Sequence, residues 1–203
     1  MDVSPGRPLP VLGGPPAERA DAARNRRRIL AAAARLLAER GAAALSMDEV
    51  AQAAGVGVGT VYRRFTDRAG LLYALVDQRE RDFQAAFLHG PPPLGPGAGP
   101  AERLRAFLHA LAERTDQQAD LLLMAEADSP AARFEASYDL YHRHLAMLIG
   151  RLRPEADAAY LADALLAPFA ANLFVHQRRA RGMTLQRIRA GLDELIAGLT
   201  RSG

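Results

Sequence analysis

Apolar residues recur at the three- and four-residue spacing of an α-helix along most of this 203-residue chain. The spacing predicts a helix over residues 17–40, two short helices within 46–65, a helix over 67–88 and helices throughout 101–203. The chain is therefore expected to be all-α, with enough apolar sequence for one or two compact units.

Two segments break this pattern. Residues 1–16 are rich in Pro and Gly, show no periodicity and are expected to be a disordered tail. Residues 90–100, GPPPLGPGAGP, cannot be helix or strand throughout and are expected to form a loop. We therefore predict a small domain at 17–66, a connecting helix at 67–89 and a larger C-terminal domain at 101–203.

One stretch, SMDEVAQAAGVGVGTVYRRF, holds two short helical patterns separated by a glycine. Ser46 and Glu49 have the spacing of a capping box, which marks the start of a helix. Gly55 is expected to end that helix, because the turn needs a backbone angle that side chains resist. In the second helix Val61 and Phe65 lie four residues apart and are expected to face inward.

Two short helices that cross closely around a tight turn form a helix-turn-helix, and the small side chain of Ala51 permits the close crossing. The second helix leaves polar side chains for a partner, which are Thr60, Tyr62, Arg63 and Arg64. Residues 1–70 carry 11 Arg against 7 acidic residues, a modest excess that suits phosphate binding. The alternative is an ordinary helical hairpin with a solvated basic end.

A run of basic residues precedes this motif, Arg24-Asn25-Arg26-Arg27-Arg28. Such a run is either a solvated helix face or an arm that contacts phosphates or the minor groove of DNA. The C-terminal residues 71–203 carry 15 Arg against 16 acidic residues, so the basic excess belongs to the N-terminal part.

The composition excludes several kinds of chemistry. The chain has no Cys and no Lys, which removes disulfides, thiolate sites, a P-loop lysine and a Schiff-base lysine. No apolar run reaches bilayer length and the N-terminus lacks the layout of a signal peptide, so a cytoplasmic protein without a membrane partner is expected. The five His residues are scattered and no H-E-x-x-H or G-x-S-x-G motif occurs, so we expect no enzyme, no metal and no cofactor.

The last two predicted helices, 154–181 and 184–199, have more apolar surface than one small domain needs. The first is expected to kink at Pro168. A homodimer that packs these helices as a four-helix bundle is the simplest use of the excess, and plain internal packing is the alternative. The candidate interface residues are Leu161, Leu165, Pro168, Leu185, Ile188, Leu192, Leu195 and Leu199.

The sequence from Arg28 to about Leu75 resembles the tetracycline-repressor (TetR) family of transcription regulators. The resemblance lies in ILAAAARLLAERG, in SMDEVAQAAGVGVGTVYRRF and in the Asp67-Arg68 start of the next helix. It implies an all-helical homodimer with an N-terminal three-helix helix-turn-helix domain and a larger C-terminal ligand-binding and dimerisation domain. Such proteins are usually repressors that a small ligand releases from DNA.

The resemblance also implies roles for individual residues. Ser46 would touch a phosphate, Tyr62 would bond one, and Arg63 would be the best candidate for reading guanine in the major groove. The family often has Ser or Thr at Gly57 and Lys at Arg68, so this chain departs from it there. The candidate DNA-binding residues are Arg28, Ser46, Gly57, Val58, Gly59, Thr60, Tyr62, Arg63, Arg64 and Arg68.

A small-molecule effector is expected to bind between the C-terminal helices. A helix expected to start at Ser129-Pro130 is apolar on two sides, which is typical of a central helix. For each aromatic side chain the alternative to a pocket is simple core packing. The candidate ligand-binding residues are Phe107, Met124, Phe134, Tyr138, Tyr141, His142, Phe169, Asn172 and His176.

The resulting hypothesis is a ligand-released repressor that binds a palindromic double-stranded DNA operator as a homodimer. Two recognition helices would then meet successive faces of the major groove. The alternative is a helical enzyme or adaptor in which the hairpin is structural and does not bind DNA.

Overall fold

The structure, a computed structural model, describes residues 16–41, 45–128 and 136–200. All regular elements within these ranges are helical, as the apolar spacing predicts. The α-helices are α1 (Pro16–Arg40), α2 (Met47–Ala54), α3 (Val58–Phe65), α4 (Arg68–His89), α5 (Pro100–Asp128), α6 (Ala136–Leu152), α7 (Ala158–Leu166), α8 (Ala171–Val175) and α9 (Leu185–Thr200).

The chain divides into two compact units, with the boundary between Arg79 and Glu80 in the middle of α4. The first unit contains α1, α2, α3 and the first half of α4. Its core forms because each of these helices turns one apolar stripe inward. The buried core includes Ile29, Leu30, Ala33, Val50, Ala51, Val61, Phe65, Leu71 and Leu75.

The second unit is built on the other half of α4 together with α5 to α9. An aromatic cluster occupies its core, where the rings of Phe83, Phe87, Phe107 and Tyr141 lie with centroids 5.0–6.0 Å apart, mostly edge to face. Edge-to-face contact is favourable because the positive ring edge meets the negative ring face. Aliphatic residues from α5, α6, α7 and α9 complete the core around this cluster.

Helix α5 is a single helix of 29 residues from Pro100 to Asp128. The sequence pattern shows an apolar stripe and then a separate short apolar segment in this region, but residues 101–128 contain no Gly or Pro to interrupt the backbone. The predicted helix start at Ser129-Pro130 and the candidate Phe134 lie outside the described residues.

The prediction of one helix over 154–181 is wrong at its start, and the observed backbone is not one continuous helix. The helical segment begins at α7, where the Asp157 side chain accepts a hydrogen bond of 3.0 Å from the Tyr160 backbone N–H. After Leu166 the backbone forms a 3₁₀ turn (Ala167–Phe169), then α8, then a π-helical turn (His176–Ala180).

The helix is bent close to Pro168, as expected: the segments Ala158–Phe169 and Ala171–Ala180 meet at 49°, and the break between them is at Ala170, whose ψ is 128°. Proline lacks the N–H that an α-helix needs and its ring crowds the preceding turn. Among the described residues, no single helix has both the length and the apolar composition of a membrane span, and only the two segments on either side of this bend reach them together.

The residues expected at a dimer interface have different environments within the second unit. Leu165 and Leu192 are buried in the core of their own chain. The candidates Leu161, Pro168, Leu185, Ile188 and Leu199 are half-buried. Leu195 on α9 is 52% exposed. The candidate interface residues therefore contribute in part to internal packing and leave part of their apolar surface exposed.

Candidate functional site

The turn between α2 and α3 has the geometry that the sequence predicts. Gly55 has φ +63° and ψ +43°, a left-handed conformation that side chains resist. The N–H of Val56 donates to the carbonyl of Ala51 at 3.0 Å and closes the end of α2. Val61 and Phe65 are buried, so α3 is anchored by its apolar face.

The predicted capping box at the start of α2 does not form. Ser46 occupies the cap position with an extended backbone, but its side chain makes no capping hydrogen bond. Glu49 instead accepts a hydrogen bond of 3.0 Å from Arg40, the last residue of α1. The guanidinium competes successfully because a charge-assisted bond is stronger than one to a neutral backbone N–H.

The outer face of α3 is open to a partner. Tyr62 is 47% exposed, Arg63 and Arg64 are exposed, and Thr60 is half-buried. Arg63 forms no hydrogen bond or ion pair within the part of the chain that the structure describes. The start of the helix is also open, with Gly57, Val58 and Gly59 all exposed.

Arg64 links α3 to the first turns of α1. Its Nη2 donates a hydrogen bond of 2.7 Å to the carbonyl oxygen of Ala22. Nearby, the guanidinium of Arg26 lies 5.5 Å from the ring centroid of Phe65, a cation–π contact. A groove of about 270 Å³ runs between the two helices, lined by Asp21, Ala22, Asn25, Ile29, Thr60, Arg63 and Arg64.

Two further basic candidates of the first unit lie at or near the ends of its helices, Arg28 beside the α2–α3 turn and Arg68 at the start of α4. The Nη2 of Arg28 donates a hydrogen bond of 3.5 Å to the carbonyl oxygen of Gly55, so Arg28 contacts the α2–α3 turn. Arg68, the first residue of α4, is exposed and interacts with another group of the chain. The start of α4 is capped by Asp67, whose side chain accepts from the Gly70 N–H at 2.7 Å.

The candidate ligand-binding residues of the second unit do not form one group. Phe107 and Tyr141 are buried in the aromatic cluster, and Phe169 is half-buried at its edge. Tyr138 and His142 are half-buried near the start of α7, where the Tyr138 hydroxyl donates to Asp163 at 2.7 Å. The side chain of Met124 lies outside the described residues, as does Phe134.

The candidates Asn172 and His176 do not lie in a pocket between the C-terminal helices. Both side chains are exposed, and Asn172 Oδ1 accepts a hydrogen bond of 2.7 Å from the next backbone N–H, that of Leu173. The reason is the break at Ala170, where ψ is 128°, because a helical spacing counted through an interrupted helix no longer identifies one face.

A closed polar network lies beside the aromatic cluster. The Tyr141 hydroxyl is 2.7 Å from either carboxylate oxygen of Glu80 and accepts from Arg114 Nη1 at 2.9 Å, while Arg114 and Glu80 also form an ion pair. Burial raises the pKa of Tyr141 above its usual value; the Arg114 charge opposes this shift and the Glu80 charge adds to it. The phenol therefore stays protonated and donates to the carboxylate.

Sequence reasoning did not single out the buried polar residues of the second unit, among them His144 and Gln118. His144 lies between Phe87 and Phe107, at centroid distances of 4.6 and 5.0 Å, and its pKa is lowered to about 4 by burial and then by the charge of Arg103. Gln118 is buried on α5, and neither of its amide atoms has a hydrogen-bond partner among the residues that the structure describes. The available signal for Gln118 was its position seven residues after the core residue Leu111, which places both on one helix face.

Comparison with known proteins identifies the first unit. Residues 29–75 match the family model of bacterial regulatory proteins of the tetR family. An HTH-type transcriptional regulator of Staphylococcus aureus (strain USA300) is 42% identical over 64 residues, which are 32% of this chain and 34% of that protein. The chain thus spans about a third of the length of the curated relatives that it matches.

Solved structures share the architecture. A transcriptional regulator from Rhodococcus sp. Rha1 superposes with a TM-score of 0.62 at 21% identity, over 88% of this chain and 99% of that one. A protein from Saccharomonospora viridis, solved in complex with choline, gives 0.63 at 24% identity, over 86% and 96%. At these identities the likeness shows the fold alone. Residues 29–75, which hold the helix-turn-helix of the first unit, thus match the tetR family of bacterial regulatory proteins, and the curated proteins similar over this region are HTH-type transcriptional regulators.

Proposed function

We propose that this protein binds double-stranded DNA through the exposed face of α3 and represses transcription as a homodimer until a small molecule releases it. The observation that carries the proposal is the contrast between the two faces of α3. Val61 and Phe65 anchor one face in the core, while Tyr62 and Arg63 stand free on the other. A short helix fixed in this way is suited to enter the major groove.

The residues of α3 divide by the chemistry that they offer to DNA. Arg63 has a free guanidinium that can donate two hydrogen bonds to guanine O6 and N7. Tyr62 offers a hydroxyl to a phosphate, and the hydroxyl of Ser46 is not used for capping and is available for the same purpose. Gly57 and Gly59 let the backbone approach the DNA closely, since neither carries a side chain.

The test is a fluorescence-anisotropy titration of the full chain on the DNA upstream of its own coding sequence. Arg63→Ala is expected to cost about 1–3 kcal/mol of binding free energy. The matched control is Arg151→Ala, which removes the same charge from an exposed position on α6 in the second unit. Equal affinities for wild type and Arg63→Ala would refute the assignment of α3 as the reading helix.

We propose that a second copy of the chain covers the open apolar surface of the last helices. Leu195 on α9 and Leu173 on α8 are the large exposed apolar side chains there. A two-fold dimer would bury them, and it would present two copies of α3 to a palindromic site. In sedimentation experiments Leu195→Asp should produce a monomer, whereas Met147→Asp on α6 should leave the dimer intact. A monomeric wild type would contradict the proposal.

Release by an effector requires two states with different affinities for DNA. A ligand that binds one state more tightly shifts the population toward it, and repression ends if the two α3 helices then no longer match successive grooves. The buried polar groups of the second unit support an effector site there. The anisotropy titration repeated across a metabolite panel tests this step, and a panel without any compound that lowers affinity would argue against ligand control.

A further inference from the structure

Gln118 is a buried polar side chain that has no hydrogen-bond partner in the described part of the chain. It is 1% exposed, and neither its Oε1 nor its Nε2 forms a hydrogen bond within the described residues. One helical turn earlier on α5, the Nε–H of Arg114 is also shielded from solvent and has no acceptor within residues 16–41, 45–128 and 136–200. Residues four apart lie on the same face of a helix, so these three hydrogen-bonding atoms belong to one face of α5.

The neighbouring buried polar residue shows that α5 satisfies such groups where it can. Thr115 is as deeply buried, but its hydroxyl donates to the carbonyl of Leu111 at 2.8 Å, one turn back in the same helix. A single backbone carbonyl cannot satisfy Gln118 in the same way, because its amide needs a donor as well as an acceptor. A buried amide left unpaired loses its bonds to water and gains none in return.

The charge at this position is already balanced. Arg114 is paired with Glu80, and both are bound to the Tyr141 hydroxyl, so the guanidinium needs no anionic ligand. Two donors have no hydrogen-bond partner among the described residues, the Gln118 NH₂ and the Arg114 Nε–H. One acceptor, the Gln118 carbonyl, also has none. The complementary molecule is neutral and carries an acceptor next to a donor.

We propose that Gln118 and Arg114 form the recognition point for a neutral effector with an adjacent C=O and N–H, the pattern of an amide or a lactam. The ligand carbonyl accepts from Gln118 Nε2 and Arg114 Nε, and its N–H donates to Gln118 Oε1. This inference rests on the proposed effector control and specifies its chemistry. It also suggests how binding would be sensed, because Arg114 contacts both Glu80 of α4 and the Tyr141 hydroxyl of α6, which also bond each other.

The experiment measures binding to the full chain in the absence of DNA, so its result is independent of operator recognition. The probe is ε-caprolactam, and cyclohexanecarboxylate is an anionic control of similar size. Ligand that binds the folded state alone raises the melting temperature with concentration. We expect caprolactam to raise the Tm of wild type, and we expect the carboxylate to give no shift.

Three variants make the result specific. Gln118→Leu should fold, because it removes the unpaired amide, and it should lose the response to caprolactam; Gln118→Met serves the same purpose if the leucine variant does not fold. Thr115→Val is the matched control and should keep the response. Absence of a shift in wild type, an equal shift in the Gln118 variants, or an equal response to the carboxylate would overturn the proposal.

Discussion

The guanidinium of Arg64 and the backbone carbonyl of Ala22 are joined by a hydrogen bond of 2.7 Å between residues 42 positions apart in the sequence. The bond ties the end of α3 to the first turns of α1, where the basic run Arg24 to Arg28 begins. Arg64 thus positions α1 next to α3, in addition to any contact that its remaining donors make with a phosphate.

Because of this hydrogen bond, substitutions of Arg63 and of Arg64 should differ in their effect on α1. Replacing Arg64 with Ala should weaken DNA binding and also speed hydrogen exchange of the amides in the first turns of α1, because their tether is lost. Arg63→Ala should weaken DNA binding and leave that exchange unchanged. Hydrogen-exchange mass spectrometry of the DNA-free protein distinguishes the two variants, and the same exchange rates in both would refute the tether.

The turn at Gly55 should be sensitive to any side chain. Gly55→Ala should reduce the free energy of unfolding by about 1–2 kcal/mol, because a left-handed conformation crowds a β-carbon. The added atom would also lie 2.9 Å from Arg28 Nη2, but the long arginine side chain can move aside.

Urea denaturation with Gly59→Ala as the matched variant tests this prediction. Gly59 lies within α3 and a β-carbon there meets nothing within 4 Å. That substitution should therefore raise stability by about 0.5–1 kcal/mol, the difference in helix propensity. Parallel effects of the two substitutions would show that the turn is not constrained as described.

His144 should make the protein less stable in mild acid. Its pKa falls from 6.5 to about 4 in the folded state, so between these values the unfolded chain binds a proton that the folded chain does not. Stability is therefore lost as the pH falls from about 6.5 toward 4, by up to about 3 kcal/mol from this residue.

The measurement is the pH dependence of urea unfolding for wild type and His144→Phe. Carboxylates and the other histidines contribute to both curves, so the difference between the curves isolates His144. The phenylalanine variant should lose less stability in this range, and two superimposable pH profiles would contradict the burial of a neutral imidazole.

Tyr141 should contribute through its hydroxyl as well as its ring. Tyr141→Phe removes the group that bonds Glu80 and Arg114 while their ion pair remains, and the expected loss is about 1–2 kcal/mol of unfolding free energy. The matched control is Tyr160→Phe, since Tyr160 is 70% exposed and should tolerate the change. Thermal unfolding of both variants tests the prediction. Equal stabilities of the two variants would show that the Tyr141 hydroxyl does not stabilise the fold.

The features that the sequence predicted correctly depend on neighbours in the chain. Gly55, Val61 and Phe65 were identifiable because a turn and a helical face are set within about ten residues. The capping box failed because Arg40, from another helix, bonds Glu49. Gln118 was missed for a related reason: whether a buried amide finds a partner depends on the helices packed around it, and spacing along α5 does not contain that information.

The change of helix type around Pro168 affects how parts of this chain can be exchanged. The 3₁₀ turn is followed by Ala170, whose ψ of 128° lies outside the helical range, so α8 starts in an orientation that a continuous α-helix would not give it. A chimaera joined within 167–169 would present α8 in a new orientation unless the donor protein has the same break. Segments grafted from relatives should therefore carry residues 158–180 as one block.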